Sequence, residues 1–305
     1  MHQPSYFAGI EAGGTKTFVA VGNEHGAIFE RIKIQTTTPA ETMPNIIQAL
    51  TQLHHHYPFD QVGVAAFGPL DPIISSPTYG SITSTPKVSW QNFDFIGTLQ
   101  RHFKHWHFAF DTDVNGAALA EYLWGYPNTC NTLVYLTIGT GIGGGIIHHG
   151  NLLHGAMHPE LGHFYLPRHP QDQHFRGCCP YHQDCLEGLA SGTALQQRWH
   201  VSSPSALPAD HIAWEIQAHY LAHAIVTYMC CFAPDKIILG GGVSKQPHLI
   251  NQVTNRVGQL VNGYLCYPGT NHIQHMIAPA SFSDNTGVKG ALALAHTINQ
   301  TKGDK

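Results

Sequence analysis

The sequence predicts a duplicated α/β fold, two domains with an active-site cleft between them, and three observations carry that prediction. A strand, a glycine turn and a second strand open the chain (YFAGIEA, GGTK, TFVAVGN) and recur at TLVYLTIGTGIGGGIIHHG. Each copy is followed further on by a helical pattern and another buried strand, the alternation that layered α/β folds require. The length of 305 residues, with 43% hydrophobic content, suffices for substantial cores and suits two domains of ordinary size.

Taken in order, the first copy continues with GAIFERIKIQT, a third strand that completes an antiparallel meander. In ETMPNIIQALTQLHHHY, residues Ile46, Ile47, Leu50 and Leu53 fall at helical spacing, and QVGVAAFGPLD reads as a buried strand ending in a Gly-Pro turn. The trio His54 to His56 closes a polar helix pattern and reads as solvated surface. After the loop-rich SSPTYGSITSTPKVSW, the stretch FAFDTDVNGAALAEYLWG predicts a strand running into an Ala-rich helix whose first turn carries Asp111 and Asp113. The second copy supplies the helix AWEIQAHYLAHAIVTYMCCF and the strand KIILGGGVS, and the final GVKGALALAHTINQ is a helix expected to pack back on the first half.

Charge and composition exclude several functions. Charged residues make up only 11%, the net charge is -4 with histidines neutral, and no basic block appears, so a nucleic-acid partner is not expected. The N-terminus lacks a secretory pattern and no apolar run reaches the roughly 18 to 20 residues that span a bilayer, which places the chain in the cytoplasm without a membrane partner. Seven cysteines is an odd number, and Cys230 and Cys231, set in the apolar pattern IVTYMCCF, are expected as buried thiols rather than disulfide partners.

Three of the other cysteines and histidines form a knot. Cys179, His182 and Cys185 follow a CxxHxxC spacing that lets one tight turn present three side chains to one ion, and His163 upstream completes a four-ligand zinc set. Cys178 breaks the spacing. Four protein ligands leave no open position for a reacting water, so the zinc reads as structural, clamping a loop that carries Glu160 and Glu187.

Three glycine turns share another chemistry: GGTKT at 13–17, GTGIGGG at 139–145 and GGGVS at 240–244. Glycine lets the backbone approach a ligand and aim successive N–H groups at anionic oxygens, which is what a nucleoside triphosphate needs. Neither the P-loop nor the dinucleotide fingerprint is matched, so the phosphates would lie on β-hairpins. Thr15, Lys16 and Thr140 supply hydroxyl and ammonium groups there, and Glu11 would hold magnesium through water.

Together EAGGTK, AAFGP, DTDVNGAALAE, TIGTGIGGG, PELGH, CPYHQDCLEG and PDKIILGGGVS resemble, in order and over nearly the whole chain, the ROK family of sugar kinases and sugar-responsive repressors, within the actin-like ATPase (ribonuclease H-like) superfamily. The likeness is nearest to its bacterial fructokinase group, through FGPLD, SPTYGSITSTPK and the CxxHxxC form of the knot. It implies ATP-dependent phosphorylation of a hexose, fructose at its 6-hydroxyl, with Asp113 as general base. It also implies a sugar site of Thr112, Asp113, Glu160, His163 and Glu187, with His163 reaching both sugar and zinc. The phosphate turns fall on Gly13, Gly14 and Thr15 and on Gly139, Thr140 and Gly141, the adenosine turn on Gly240, Gly241 and Gly242, and the zinc ligands on His163, Cys179, His182 and Cys185. Glu11 stands where many members carry Asp.

The resemblance further implies a homodimer. A small N-terminal domain of residues 1–116 plus about 286–305 and a larger one of 117–285, carrying the zinc loop at about 160–190, are the expected boundaries. Kinases of mannose, glucose or an N-acetylhexosamine are the alternative readings, since hydroxyl recognition depends on the loop around residues 75–90. A non-catalytic sugar sensor is the remote one, disfavoured because the first phosphate turn begins near residue 11.

Overall fold

A computed structural model describes residues 5–266 and 273–300, so residues 1–4 and 301–305 of the expected first domain and 267–272 of the expected second lie outside the described residues. The chain forms two compact units. The first takes the described residues up to Pro127, the short segment Leu152–Pro159 and the chain from Asp284 onward.

In this first unit β1 (Tyr6–Ala12), β2 (Lys16–Asn23) and β3 (Ile28–Gln35) form the antiparallel meander that the glycine turn announces. Helix α1 (Pro39–His56) begins on Pro39, where a missing N–H costs nothing, and buries Met43, Ile46, Ala49, Leu50 and Leu53 along one stripe. It leads to β4 (Gln61–Ala66), buried at every residue and parallel to β1. A short antiparallel pair, β5 (Ser81–Ile82) and β6 (Phe93–Asp94), precedes α2 (Phe95–His102). Then β7 (His107–Thr112) pairs parallel to β4 and runs directly into α3 (Asp113–Ala120). The sheet order is β3-β2-β1-β4-β7.

Alternation splits the sheet between two cores. Ala8, Ile10, Ala12, Val62 and Val64 face α1 and α2, whereas Phe7 and Ala20 pack with Val288, Leu292 and Ala295 of the C-terminal helix, Thr286–Gln300. That helix lies flat on the strands because Gly63 offers no side chain: a Cβ there would sit 1.9 Å from the Ala291 carbonyl oxygen. The histidine trio is not uniformly solvated. His55 and His56 are exposed, but His54 is half-buried against Phe59 and Trp106 and accepts the Phe59 N–H at 3.3 Å, because its position continues the stripe of Leu50 and Leu53.

The second unit repeats the plan. β8 (Thr132–Ile138) and β9 (Ile142–His148) are antiparallel around the second glycine turn, and β10 (Asn151–Leu152) flanks β9. The zinc loop leads into α4 (Leu186–Ala190) and α5 (Gly192–Trp199). The long α6 (Ile212–Phe232) is buried over most of its surface and feeds β11 (Lys236–Gly240), parallel to β8. After α7 (Leu249–Val261) and α8 (Ile273–Met276), β12 (Ile277–Pro279) closes the sheet in the order β10-β9-β8-β11-β12. In each unit the first strand is the central one, with an antiparallel neighbour on one side and a parallel neighbour on the other, so the duplication is present in topology. Cys230 and Cys231 are exposed, contrary to expectation, because Tyr228 and Met229 take the inward positions of the last turn of α6.

Candidate active site and metal-ligand cluster

In the first unit the register sets Ala12, Ala66 and Thr112 side by side at the carboxyl ends of β1, β4 and β7. Ligands of open parallel sheets gather beyond such ends. Three chain segments leave from there: the turn Gly13–Lys16, the turn at Phe67-Gly68-Pro69 with its cis Gly68-Pro69 peptide, and the start of α3.

The first turn is closed by the Gly13 N–H donating to the Lys16 carbonyl at 3.1 Å, and the Thr15 carbonyl accepts from the Thr36 N–H at 3.1 Å. Thr15 and Lys16 are exposed, and Lys87 extends toward the turn, its Cε 3.2 Å from where a Cβ of Gly14 would stand. Lys87 went unnoticed in the sequence, where it sits in a Ser-, Thr- and Pro-rich loop; its rarity in a chain with 15 Lys and Arg was the signal. That loop is tied down by Asp71, which accepts from the Ser76 and Thr78 hydroxyls at 2.5 and 2.6 Å and from the Ile73 N–H. Burial works against the Asp71 charge, but these hydrogen bonds hold its carboxyl below the usual range.

Asp113 is the first residue of α3, and it is not the cap. Thr112 is: its hydroxyl accepts the Asn115 N–H at 3.0 Å, leaving the hydroxyl proton free to donate and the Asp113 carboxylate free for other work. Burial raises the Asp113 carboxyl to about 6, against the opposing pull of the Val114 N–H at 2.9 Å. Glu11, at the end of β1, rises to about 7 through burial first and the Asp113 charge second, with Lys16 and Arg31 pulling it back. Two neighbouring carboxylates, one raised by the charge of the other, form a donor set suited to a hydrated divalent cation.

Asp111 does not lie in the helix turn, as the sequence suggested, but in the last turn of strand before it, and it is buried. One oxygen accepts from the Thr112 N–H at 2.7 Å and the Asn115 amide at 2.6 Å, and the other meets His154 Nε2 at 2.8 Å. Nothing in the sequence singled out His154, one of 24 histidines.

In the second unit the ligand atoms of His163, Cys179, His182 and Cys185 all lie within 4.8 Å of one another. The Cys179 sulfur is 3.8 Å from His163 Nδ1 and 3.6 Å from His182 Nδ1, and the Cys185 sulfur is 3.6 Å from His163 Nδ1. Zinc bonds of about 2.3 Å to sulfur and 2.0–2.1 Å to nitrogen place tetrahedral N and S ligands about 3.5 Å apart, so the cluster fits a structural zinc ion. Burial pushes the Cys185 thiol up to about 12, which makes a divalent cation the natural partner of a thiolate there. Cys178 stands outside the set, 3.6 Å from the Ser191 hydroxyl. Arg168 braces the loop from behind, donating to the Asp172 and Phe175 carbonyls and to Asp184 at 3.2 Å.

His163 turns its other nitrogen, Nε2, to Glu160 and Glu187, 3.9 Å from an oxygen of each. Glu187 also accepts the Ile142 N–H at 3.0 Å, so it joins the knot to the second glycine turn. That turn closes with the Gly139 N–H on the Gly141 carbonyl at 2.9 Å, while the Gly139 and Thr140 carbonyls accept from Gly192 and Thr193 at the start of α5. Register places Gly240 opposite Thr137, bringing the third turn to the same strand ends. Gly241 there has φ of 86°, and a Cβ would stand 2.4 Å from the Ile138 carbonyl oxygen, whereas Cβ atoms at Gly139 and Gly242 would meet open space. The structure thus gathers Gly139–Gly141, Gly240–Gly242 and Glu187 in one unit, and Glu11, Gly13–Lys16 and Thr112–Asp113 in the other.

The ROK family profile matches residues 7–298, and the chain belongs to the ROK family. A fructokinase of Pediococcus pentosaceus is 41% identical over 94% of this chain and 96% of its own length, and one of Streptococcus mutans 40% identical over 96% and 98%. A glucokinase of Halalkalibacterium halodurans is more distant, 29% identical over 79% of this chain and 81% of its own. Among solved structures, a ROK hexokinase from Thermus thermophilus superposes with a TM-score of 0.75 at 24% identity, covering 98% of this chain and 100% of that one, which establishes the shared fold.

Proposed function

We propose that this ROK-family sugar kinase transfers the γ-phosphoryl group of ATP to the 6-hydroxyl of fructose, with Asp113 as general base. The observation that carries the base assignment is a carboxylate at the carboxyl end of β7, freed from capping by Thr112 and titrating at about 6, hence ionised at neutral pH yet basic enough to take a proton. Phosphoryl transfer needs little more than this, since positioning and charge neutralisation do most of the work. The identity of about 40% to relatives named fructokinase, against 29% to the glucokinase, supports fructose as acceptor.

Thr112, Glu160, His163 and Glu187 would hold the sugar hydroxyls, and the zinc cluster would act as a scaffold that fixes His163 with Nε2 toward the two glutamates. The phosphates would lie on Gly13–Lys16 and Gly139–Gly141 and adenosine on Gly240–Gly242. Magnesium, when bound with ATP, neutralises phosphate charge, and Glu11 would hold it through water. A cytoplasmic homodimer is the proposed working form.

The test compares specificity constants for fructose, mannose, glucose and an N-acetylhexosamine with ATP. Fructose should lead by about tenfold or more, and Asp113→Asn should lower kcat by about 10²–10⁴ with the fold intact. A tenfold preference for another sugar overturns the acceptor, near-normal turnover in the variant overturns the base, and no sugar-dependent ADP release from any hexose overturns the kinase reading.

A further inference from the structure

The segment Leu152–Pro159 belongs to the first unit, although the residues on either side, up to Asn151 and from Glu160, belong to the second. Two histidines fasten it there. His158 is buried and accepts the Leu70 N–H at 3.5 Å, just past the Gly68-Pro69 turn. His154 meets the other oxygen of Asp111 at 2.8 Å.

Fastening alone does not account for His154. Asp111 already receives two N–H donors on its first oxygen, and a buried carboxylate bonded in this way is well satisfied. What the third contact does is fix the imidazole: the bond to Asp111 orients the ring and raises its pKa, and in the neutral ring, with Nε2–H held by the carboxylate, Nδ1 on its far side is left as an acceptor. The ring is 24% exposed, unlike Asp111 at 4%. Its surroundings are those of the proposed sugar site. Asp111 is two residues from Asp113, Asn115 on the same turn of α3 reaches within 3.5 Å of His154 Nε2, and Tyr79, from the loop expected to read hydroxyls, is close enough to Asp111 to feel its charge.

Resting on the hexose-kinase reading above, we propose that His154, oriented by Asp111, is a specificity-determining residue whose Nδ1 accepts a hydrogen bond from a hydroxyl of the bound hexose. The Asp–His pair then sets sugar selection on the same turn of chain that presents the base.

The variant His154→Lys separates this from a purely structural pin. Its ammonium can replace Nε2–H as the donor to Asp111, but a lysine has no acceptor to stand in for Nδ1. The expected result is a hexose KM raised about tenfold, with the ATP KM and the melting temperature unchanged and with different factors for fructose and mannose. His154→Ala should raise the hexose KM equally or more. A His154→Lys enzyme with the wild-type hexose KM would make His154 a pin and sink the proposal, as would an equal rise in the ATP KM. A wild-type protein inactive on every hexose would instead sink the kinase reading on which the proposal rests, so the two failures are distinguishable.

Discussion

Asp113, the proposed base, is held in a form that costs stability. Its carboxyl rises from 3.8 to about 6 in the fold, so the native state binds its proton more tightly than the unfolded chain does. Its contribution to stability is therefore fully present below pH 3.8 and lost as the pH rises through 6, a swing of up to about 3 kcal/mol. Asp113→Asn, which keeps an acceptor for the Val114 N–H but no charge, should melt at a higher temperature than the ligand-free wild type at pH 8, and this advantage should shrink as the pH falls from 6 to 4. Calorimetry across that range checks it; equal melting temperatures at pH 8 would mean that the carboxylate is not penalised by burial. The residue types of this site were legible because Asp, Glu, Gly, Cys and His occur in short motifs of fixed spacing. His154 was not, because its meaning comes from Asp111, 43 positions away, and no local pattern reports such a pairing.

At the level of elements, the strands and helices were legible for simple reasons. Runs such as VAVGN and LVYLTI are apolar and β-branched, they end at glycine turns, and the 3.6-residue spacing of α1 is clear. The attachment of Leu152–Pro159 to the first unit was not legible, since eight loop residues carry no periodicity. Nor was the exposure of Cys230 and Cys231, because an apolar run on a helix does not say which turn outlasts the core. The C-terminal helix packs directly on β4, where Gly63 admits no substituent. Gly63→Ala should cost about 1–3 kcal/mol or more through overpacking, read as a fall in the urea midpoint. An unchanged midpoint would mean that the helix can lift from the sheet without penalty.

For the molecule as a whole, the Cys/His cluster and the glycine turns of the second unit meet at Glu187, but the ligands proposed for them differ, so metal removal should act unevenly. Stripping the cluster with a chelator should lower the melting temperature by about 5–10 °C and weaken hexose binding before ATP binding, as followed by calorimetric titration of each ligand. A metal-free, folded protein that phosphorylates fructose normally would remove the scaffold role. Among the described residues no helix is long and apolar enough to cross a membrane.

The C-terminal helix has a bearing on how the polypeptide is made. One face of the N-terminal sheet, at Phe7, Gly9, Ala20 and Gly63, is covered by residues Val288 to Ala295, which follow every other described element in the chain. Domains ordinarily finish in the order in which they leave the ribosome. Here the unit that begins to emerge first is completed after the other: its sheet waits, one side bare, until residues 288–295 emerge, whereas the segments of the second unit precede them in the chain. A nascent chain halted before residue 286 would hold an unfinished first unit, which makes the interval between the first strands and the helix Thr286–Gln300 the period in which this protein most needs protection from aggregation.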